Sequence, residues 1–193
     1  DEIRHFAKDV IAETKAMGVK KWIMLTGDNP AAAARVANAI GIDEYHAELT
    51  PEGKLALLRD IKKKYKSLAM IGDGVNDAAS LAMADVSFAM GAIGSDVSIE
   101  AADIAIMHDD LRRIPETLFL GREATKIIKQ NFLIWVVTNI VGLWLVFSGC
   151  IGPAGAAAYN FLTDFIPIIN TFKIYFLKIT RHTYDAFVAT RRT

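Results

Sequence analysis

Charge is missing where a soluble domain of this size needs it: from Gln130 to Thr163 there is no Asp, Glu, Lys, Arg or His. Charged residues normally make up about a quarter of a globular chain, so so long an uncharged stretch excludes an ordinary water-exposed surface. Cysteine is nearly absent too. The single Cys150 excludes an intramolecular disulfide framework and any zinc site built on paired cysteines. Neither sign of charge is in excess, because 22 Lys and Arg balance 22 Asp and Glu, and no run of like charges is long enough to suggest a disordered tail. No nucleic-acid partner and no charged disordered tail are expected. His5, His46, His108 and His182 stand at no ligand spacing and take no role. The chain opens at Asp1 inside a helical pattern and without a leader sequence, so it is expected to begin within a longer polypeptide.

What is present falls into two halves. Up to Lys129 charges are dense and apolar runs are short. Ile3, Phe6, Ala7, Val10, Ile11 and Met17 recur at helical spacing before Gly18. Lys21 to Leu25 is an apolar run that breaks at Thr26-Gly27-Asp28-Asn29, and Pro30 then opens an alanine-rich helix to Ile40. The pattern repeats: a helix from Pro51 through Lys66, a strand over Leu68 to Ile71, a turn at Gly72-Asp73-Gly74 and a helix over Asp77 to Ala84. Two more strands are expected at Val86 to Met90 and Ile104 to Met107. Strands and helices alternating at these lengths predict an α/β fold with a Rossmann-like parallel sheet covered on both faces. Ligands of such sheets bind at the strands' C-terminal ends, where both polar turns fall.

From Ile114 the chain reads as one long helix whose apolar run continues to Ile151, past Lys126 and Lys129. About 20 apolar residues at a rise of about 1.5 Å match a hydrocarbon core of about 30 Å. Ser148 to Pro153 is a breaker cluster, and a second apolar segment from Ala154 to Leu177 is interrupted by Asp164 and Pro167. This predicts a transmembrane hairpin. Lysines flank one end, and Lys173, Lys178 and Arg181 the other, while the connecting loop is uncharged. The positive-inside rule then puts both ends, and the α/β half, in the cytoplasm. The expected organisation is an α/β part over 1–112, a connector helix over 113–130, two membrane helices within 131–178 (131–151 and 154–177) and a cytoplasmic tail over 179–193.

Gly72-Asp73-Gly74-Val75-Asn76-Asp77 sets two carboxylates and an amide within about one turn at a sheet edge. Such a group suits magnesium, which takes oxygen ligands, keeps several waters and is held by one or two carboxylates plus substrate phosphate. An acidic turn capping the next helix is the simpler reading of a lone Asp-Gly. Thr26-Gly27-Asp28 offers a hydroxyl, an open amide and a helix start to phosphate oxygens, or forms a plain capped turn. Lys54, near the start of its helix, can offset charge on a phosphoryl group, although most helix lysines are merely solvated.

The order Thr26-Gly27-Asp28, Lys54, Gly72-Asp73-Gly74-Val75-Asn76-Asp77 resembles the P-type cation-transporting ATPases, a branch of the haloacid-dehalogenase superfamily, over nearly the whole chain. The resemblance implies ATP-driven ion transport in which an aspartate of an upstream Asp-Lys-Thr-Gly-Thr motif attacks the γ-phosphate of ATP and the aspartyl phosphate is then hydrolysed. It implies that Thr26, Gly27 and Asp28 line the phosphate site, that Lys54 binds phosphoryl oxygens, that Asp73 and Asp77 ligate Mg2+, and that Asn76 completes the site. The family usually has proline after the alanine of this string, whereas Ala79 follows Ala78 here, with no side-chain ligand lost. The nucleophile's motif does not occur in these 193 residues, so this chain by itself is expected not to turn over ATP. A soluble magnesium-dependent phosphatase of the same superfamily, which would not need the hairpin, and a non-catalytic membrane fragment that only binds magnesium or a partner are the alternatives, and an upstream Asp-Lys-Thr-Gly-Thr motif would separate them from the pump.

One hairpin after the α/β part resembles the heavy-metal subgroup. That implies a bacterial or archaeal plasma-membrane protein with the lipid bilayer, a metal cation and the upstream part of its own polypeptide as partners. An ionisable group at membrane depth is a functional candidate, and Asp164 is one. Tyr159, Asn160 and Thr163 precede it by about a turn, Asn170 follows, and Asn139 lies on the preceding helix. Pro167 frees the carbonyl of Thr163 to face an ion or water. The acidic residue of zinc-type members near position 160 and the Met and paired Ser of copper-type members do not occur here. An all-oxygen set favours manganese, iron, zinc or cobalt over copper. The asparagines can alternatively bridge helices by hydrogen bonds.

Overall fold

The structure is a computed structural model describing residues 6–72, 77–91, 102–106 and 110–176. Asp73, Asn76, His5, His108, His182, Lys178 and Arg181 lie outside the described residues. The chain divides into two compact units, Asp1–Pro115 and Glu116–Thr193.

The first unit alternates as expected. Helix α1 (Ala7–Ala16) buries Val10, Ile11 and Thr14, and the Thr14 hydroxyl donates to the Val10 carbonyl at 2.8 Å while accepting from the Trp22 indole at 2.9 Å. Strand β1 (Ile23–Leu25) leads to α2 (Pro30–Ile40), which Asn29 caps by accepting from the Ala32 amide at 2.9 Å and which Gly41 ends in the left-handed region, φ 83°. Strand β2 (Glu44–His46) was not legible in the sequence, because Glu-Tyr-His has no apolar alternation and spans only three residues. Helix α3 (Pro51–Lys64) is capped by Thr50, which accepts from the Gly53 amide at 3.1 Å; it stops short of the expected Lys66. Strand β3 (Ala69–Gly72), the short α4 (Ala78–Met83), β4 (Val86–Met90) and β5 (Ile104–Ile106) complete the unit.

All strand pairs are parallel, in two sheets of order β1-β2 and β3-β4-β5 among the described residues. Strand β4 is central to its sheet and four of its five residues are buried. That is why it reads as the near-continuous apolar run Val-Ser-Phe-Ala-Met and not as an alternation. Phe88 is 1% exposed, and burying such a side chain contributes about 1.5–3 kcal/mol.

Each parallel pair is stapled at its N-terminal end by an aspartate one residue before a strand. Asp43 accepts from the Trp22 amide at 2.8 Å, Asp85 from the Leu68 amide at 2.9 Å, and Asp103 from the Ser87 amide at 2.9 Å and hydroxyl at 2.8 Å. All three carboxyls are held below the usual carboxylate range. The largest cause is the Lys15 ammonium for Asp43, the Lys62 ammonium for Asp85 and the Ser87 hydroxyl for Asp103.

In the second unit α5 (Arg113–Phe147) is the one described helix long and apolar enough to cross a membrane. It ends four residues before the expected Ile151. The second apolar segment forms two helices, α6 (Pro153–Thr163) and α7 (Phe165–Phe176), in place of one. The interruption at Asp164 has a direct cause: Pro167 has no N–H to give to the Thr163 carbonyl four residues earlier.

Candidate functional site

The site forms at the C-terminal ends of β1 and β3. After β1, the Thr26 hydroxyl accepts from the Asp28 amide at 3.1 Å and donates to the Asp28 carboxylate at 3.0 Å, closing a tight turn on itself. Loop 47–49 is laced to that turn. The Glu48 amide donates to the Asp28 carbonyl at 2.8 Å, the Leu49 amide to the Thr26 carbonyl at 3.0 Å, and the Thr26 amide to the His46 carbonyl at 3.0 Å. Glu48 takes the left-handed region to do this, φ 56°.

After β3, Asp77 stands just before α4. The Lys54 ammonium donates to its Oδ1 at 3.1 Å, and the two side chains are 21% and 16% exposed. This ion pair joins α3 to the start of α4. Gly72 makes the fit possible, since a Cβ there would lie 3.0 Å from the Asp77 Cβ and Oδ2. Beside this pair lies a cavity of about 120 Å³, lined by Gly27, Lys54, Ser80, Leu49, Pro51, Leu55 and Ala79.

Gly27, Lys54 and Asp77, far apart in sequence, therefore converge. Thr26 and Asp28 adjoin Gly27 but are engaged with each other and do not line the cavity. Asp73 and Asn76 lie outside the described residues. Ser80 escaped the sequence reading; its one signal was a lone hydroxyl among the alanines of α4.

Does this arrangement suit magnesium? Asp77 Oδ1 takes the lysine, while Oδ2 has no hydrogen-bond partner among the described residues. No group of three or more His, Cys, Asp or Glu occurs among them. One hard carboxylate oxygen, on the partner of a lysine that lines the cavity, fits an ion that needs few protein ligands, and it would not fit zinc.

In the second unit the expected ion residues have definite partners. The Tyr159 hydroxyl donates to the Thr138 carbonyl of α5 at 2.9 Å, and its ring packs so close to Gly142 that a Cβ there would stand 2.8 Å away. The Thr163 hydroxyl donates back to the carbonyls of Tyr159 and Asn160, at 3.0 and 3.1 Å, and the Asn139 amide to the Trp135 carbonyl at 2.7 Å. Asn170 bridges helices: buried, it donates to Asn131 at 2.7 Å, and Asn131 donates to Thr171 at 2.8 Å. Asp164 and Asn160 are exposed, with no side-chain partner among the described residues.

Residues 1–85 match the family model of haloacid dehalogenase-like hydrolases. The chain is 39% identical over 174 residues to a manganese-exporting P-type ATPase of Mycobacterium leprae, covering 90% of this chain and 24% of that protein. It is 42% identical over 149 residues to a cadmium-transporting ATPase of Staphylococcus aureus, covering 77% and 20%. The crystal structure of a zinc-transporting PIB-type ATPase in an E2.Pi state superposes with a TM-score of 0.83 at 34% identity, over 90% of this chain and 28% of that one. The chain thus spans about a quarter of the length of the curated relatives it matches.

Proposed function

We propose, for a chain homologous to the heavy-metal P-type ATPases, that it supplies the phosphate-and-magnesium side of the catalytic site and the last membrane hairpin of an ATP-driven metal transporter. The observation that carries this reading is the 3.1 Å contact between Asp77 and Lys54, the lysine that lines the cavity with Gly27. Lys54 offsets negative charge on a phosphoryl group during transfer, and Gly27 admits phosphate oxygens close to the backbone. Thr26 and Asp28 hold that loop in shape. Asp77, with Asp73 and Asn76, would hold the magnesium ion, which when bound neutralises phosphate charge. The nucleophile belongs to an Asp-Lys-Thr-Gly-Thr segment of the complete polypeptide.

In the membrane half, α5 spans the bilayer, α6 and α7 together form the second span, and residues 113–130 are the connector. The soluble unit then lies in the cytoplasm of a bacterium or archaeon. Asp164 and Asn160, with their oxygens unclaimed, are the ion ligands this chain contributes, and Tyr159 and Asn170 serve as clasps between helices. Oxygen ligands favour a borderline divalent ion, and manganese, zinc and cadmium are the ions named for its relatives. The test is acid-stable phosphoenzyme formed from radiolabelled ATP by the complete protein. Lys54→Ala and Asp77→Asn should each lower turnover by about 100-fold or more. Unchanged turnover in both would overturn the reading.

A further inference from the structure

We propose that Ser80 is a further binding residue of the phosphate site, donating its hydroxyl proton to an oxygen of a tetrahedral oxyanion alongside Lys54 and Gly27; this rests on the function proposed above. Ser80 is 4% exposed and lines the cavity, yet its hydroxyl has no hydrogen-bond partner among the described residues. No described side-chain oxygen is both sealed from solvent and unpaired, so the Ser80 oxygen opens onto the cavity. Open to the cavity, the hydroxyl is free to exchange water for a ligand oxygen, and an alanine like its neighbours Ala78 and Ala79 would fill α4 equally well but offer no donor. The position therefore makes sense as a donor waiting for an acceptor.

The rest of the lining identifies the acceptor. Lys54 spends one of its three donors on Asp77, and the Gly27 amide has no partner among the described residues. Three unclaimed donor groups thus border the cavity, and no carboxylate lines it. The other walls are the apolar side chains Leu49, Pro51, Leu55 and Ala79, and a low-dielectric wall strengthens donor-to-anion bonds. About 120 Å³ is room enough for one phosphoryl group. Donors without a facing carboxylate favour an oxyanion over a cation.

Orthovanadate is the probe, applied to the complete protein. Its affinity is read from inhibition of metal-stimulated ATP hydrolysis and, independently of activity, from the rise in Tm it causes. Ser80→Ala should weaken orthovanadate by about fivefold to twentyfold while leaving the ligand-free Tm unchanged. Ser80→Thr, which keeps the hydroxyl, should recover most of that affinity. If Ser80→Ala does not fold, Ser80→Cys, nearly isosteric and a weak donor, should show the same loss. Wild-type orthovanadate affinity in the folded variant lacking the hydroxyl overturns the inference, as it would if the cavity held only water. Lys54→Ala separates the two levels. If Lys54→Ala and Ser80→Ala both bind orthovanadate normally, the phosphate-site reading fails with the inference; if only Lys54→Ala loses affinity, the Ser80 assignment alone fails.

Discussion

Single residues in this protein hold strain or charge that a change of side chain exposes directly. Glu48 sits at φ 56° so that loop 47–49 can bond the Thr26–Asp28 turn. The left-handed conformation costs a residue with a Cβ roughly 1–2 kcal/mol, while glycine loses about 0.5–1 kcal/mol more entropy on folding. Glu48→Gly is therefore expected to stabilise the chain by up to about 1 kcal/mol, and Glu48→Val to destabilise it by about 1–2 kcal/mol, as read from urea unfolding midpoints. Asp164 is the corresponding residue in the membrane half. Its carboxylate has no described partner, so Asp164→Ala should cost little in folding but raise the metal concentration for half-maximal ATP hydrolysis by at least about tenfold in the complete protein. Unchanged metal dependence would remove Asp164 from the transport path. Lys54 and Asp77 were legible as candidates from their motif spacing. Ser80 was not, because nothing local distinguishes a serine that faces a cavity from one that faces water.

Among the elements, the parallel strands share one device. Asp43, Asp85 and Asp103 each pin the start of one strand to the start of its neighbour, at the end of the sheets opposite the Lys54–Asp77 contact. Their folded pKa values lie below the unfolded value of about 3.9. They therefore contribute stability that is fully present above that value and lost as pH falls through the depressed folded values. Thermal melts should show Tm falling steeply below about pH 4, and a triple Asp→Asn variant should show a lower neutral Tm and a shallower acid dependence. An acid slope equal to that of wild type would rule out the staples. Helices α2 and α3 were legible because proline, cap and apolar spacing agree along one segment. Strand β2 was not, since its three residues become a strand only by pairing with β1. The break between α6 and α7 was legible at Pro167, but its effect depends on a carbonyl four residues away.

At the scale of the molecule, packing brings Lys54 to Asp77 beside a cavity that Gly27 and Ser80 also line, and the sequence holds no Asp-Lys-Thr-Gly-Thr. The 193-residue chain incubated with radiolabelled ATP is expected to form no aspartyl phosphate, whereas the complete polypeptide should form it; label on the isolated chain would contradict the assignment of the nucleophile. Sequence alone determined the parallel α/β class and the long apolar helix that follows it. Those follow from local composition and spacing, which the chain carries wherever it folds. Only the tertiary structure decided that Lys54 reaches Asp77, that Tyr159 and Asn170 are helix clasps, and that Ser80 opens onto the same cavity as Gly27. Those pairings depend on how separate elements pack, and a side chain's partner across 20 or more residues is set by that packing and by nothing in its own neighbourhood.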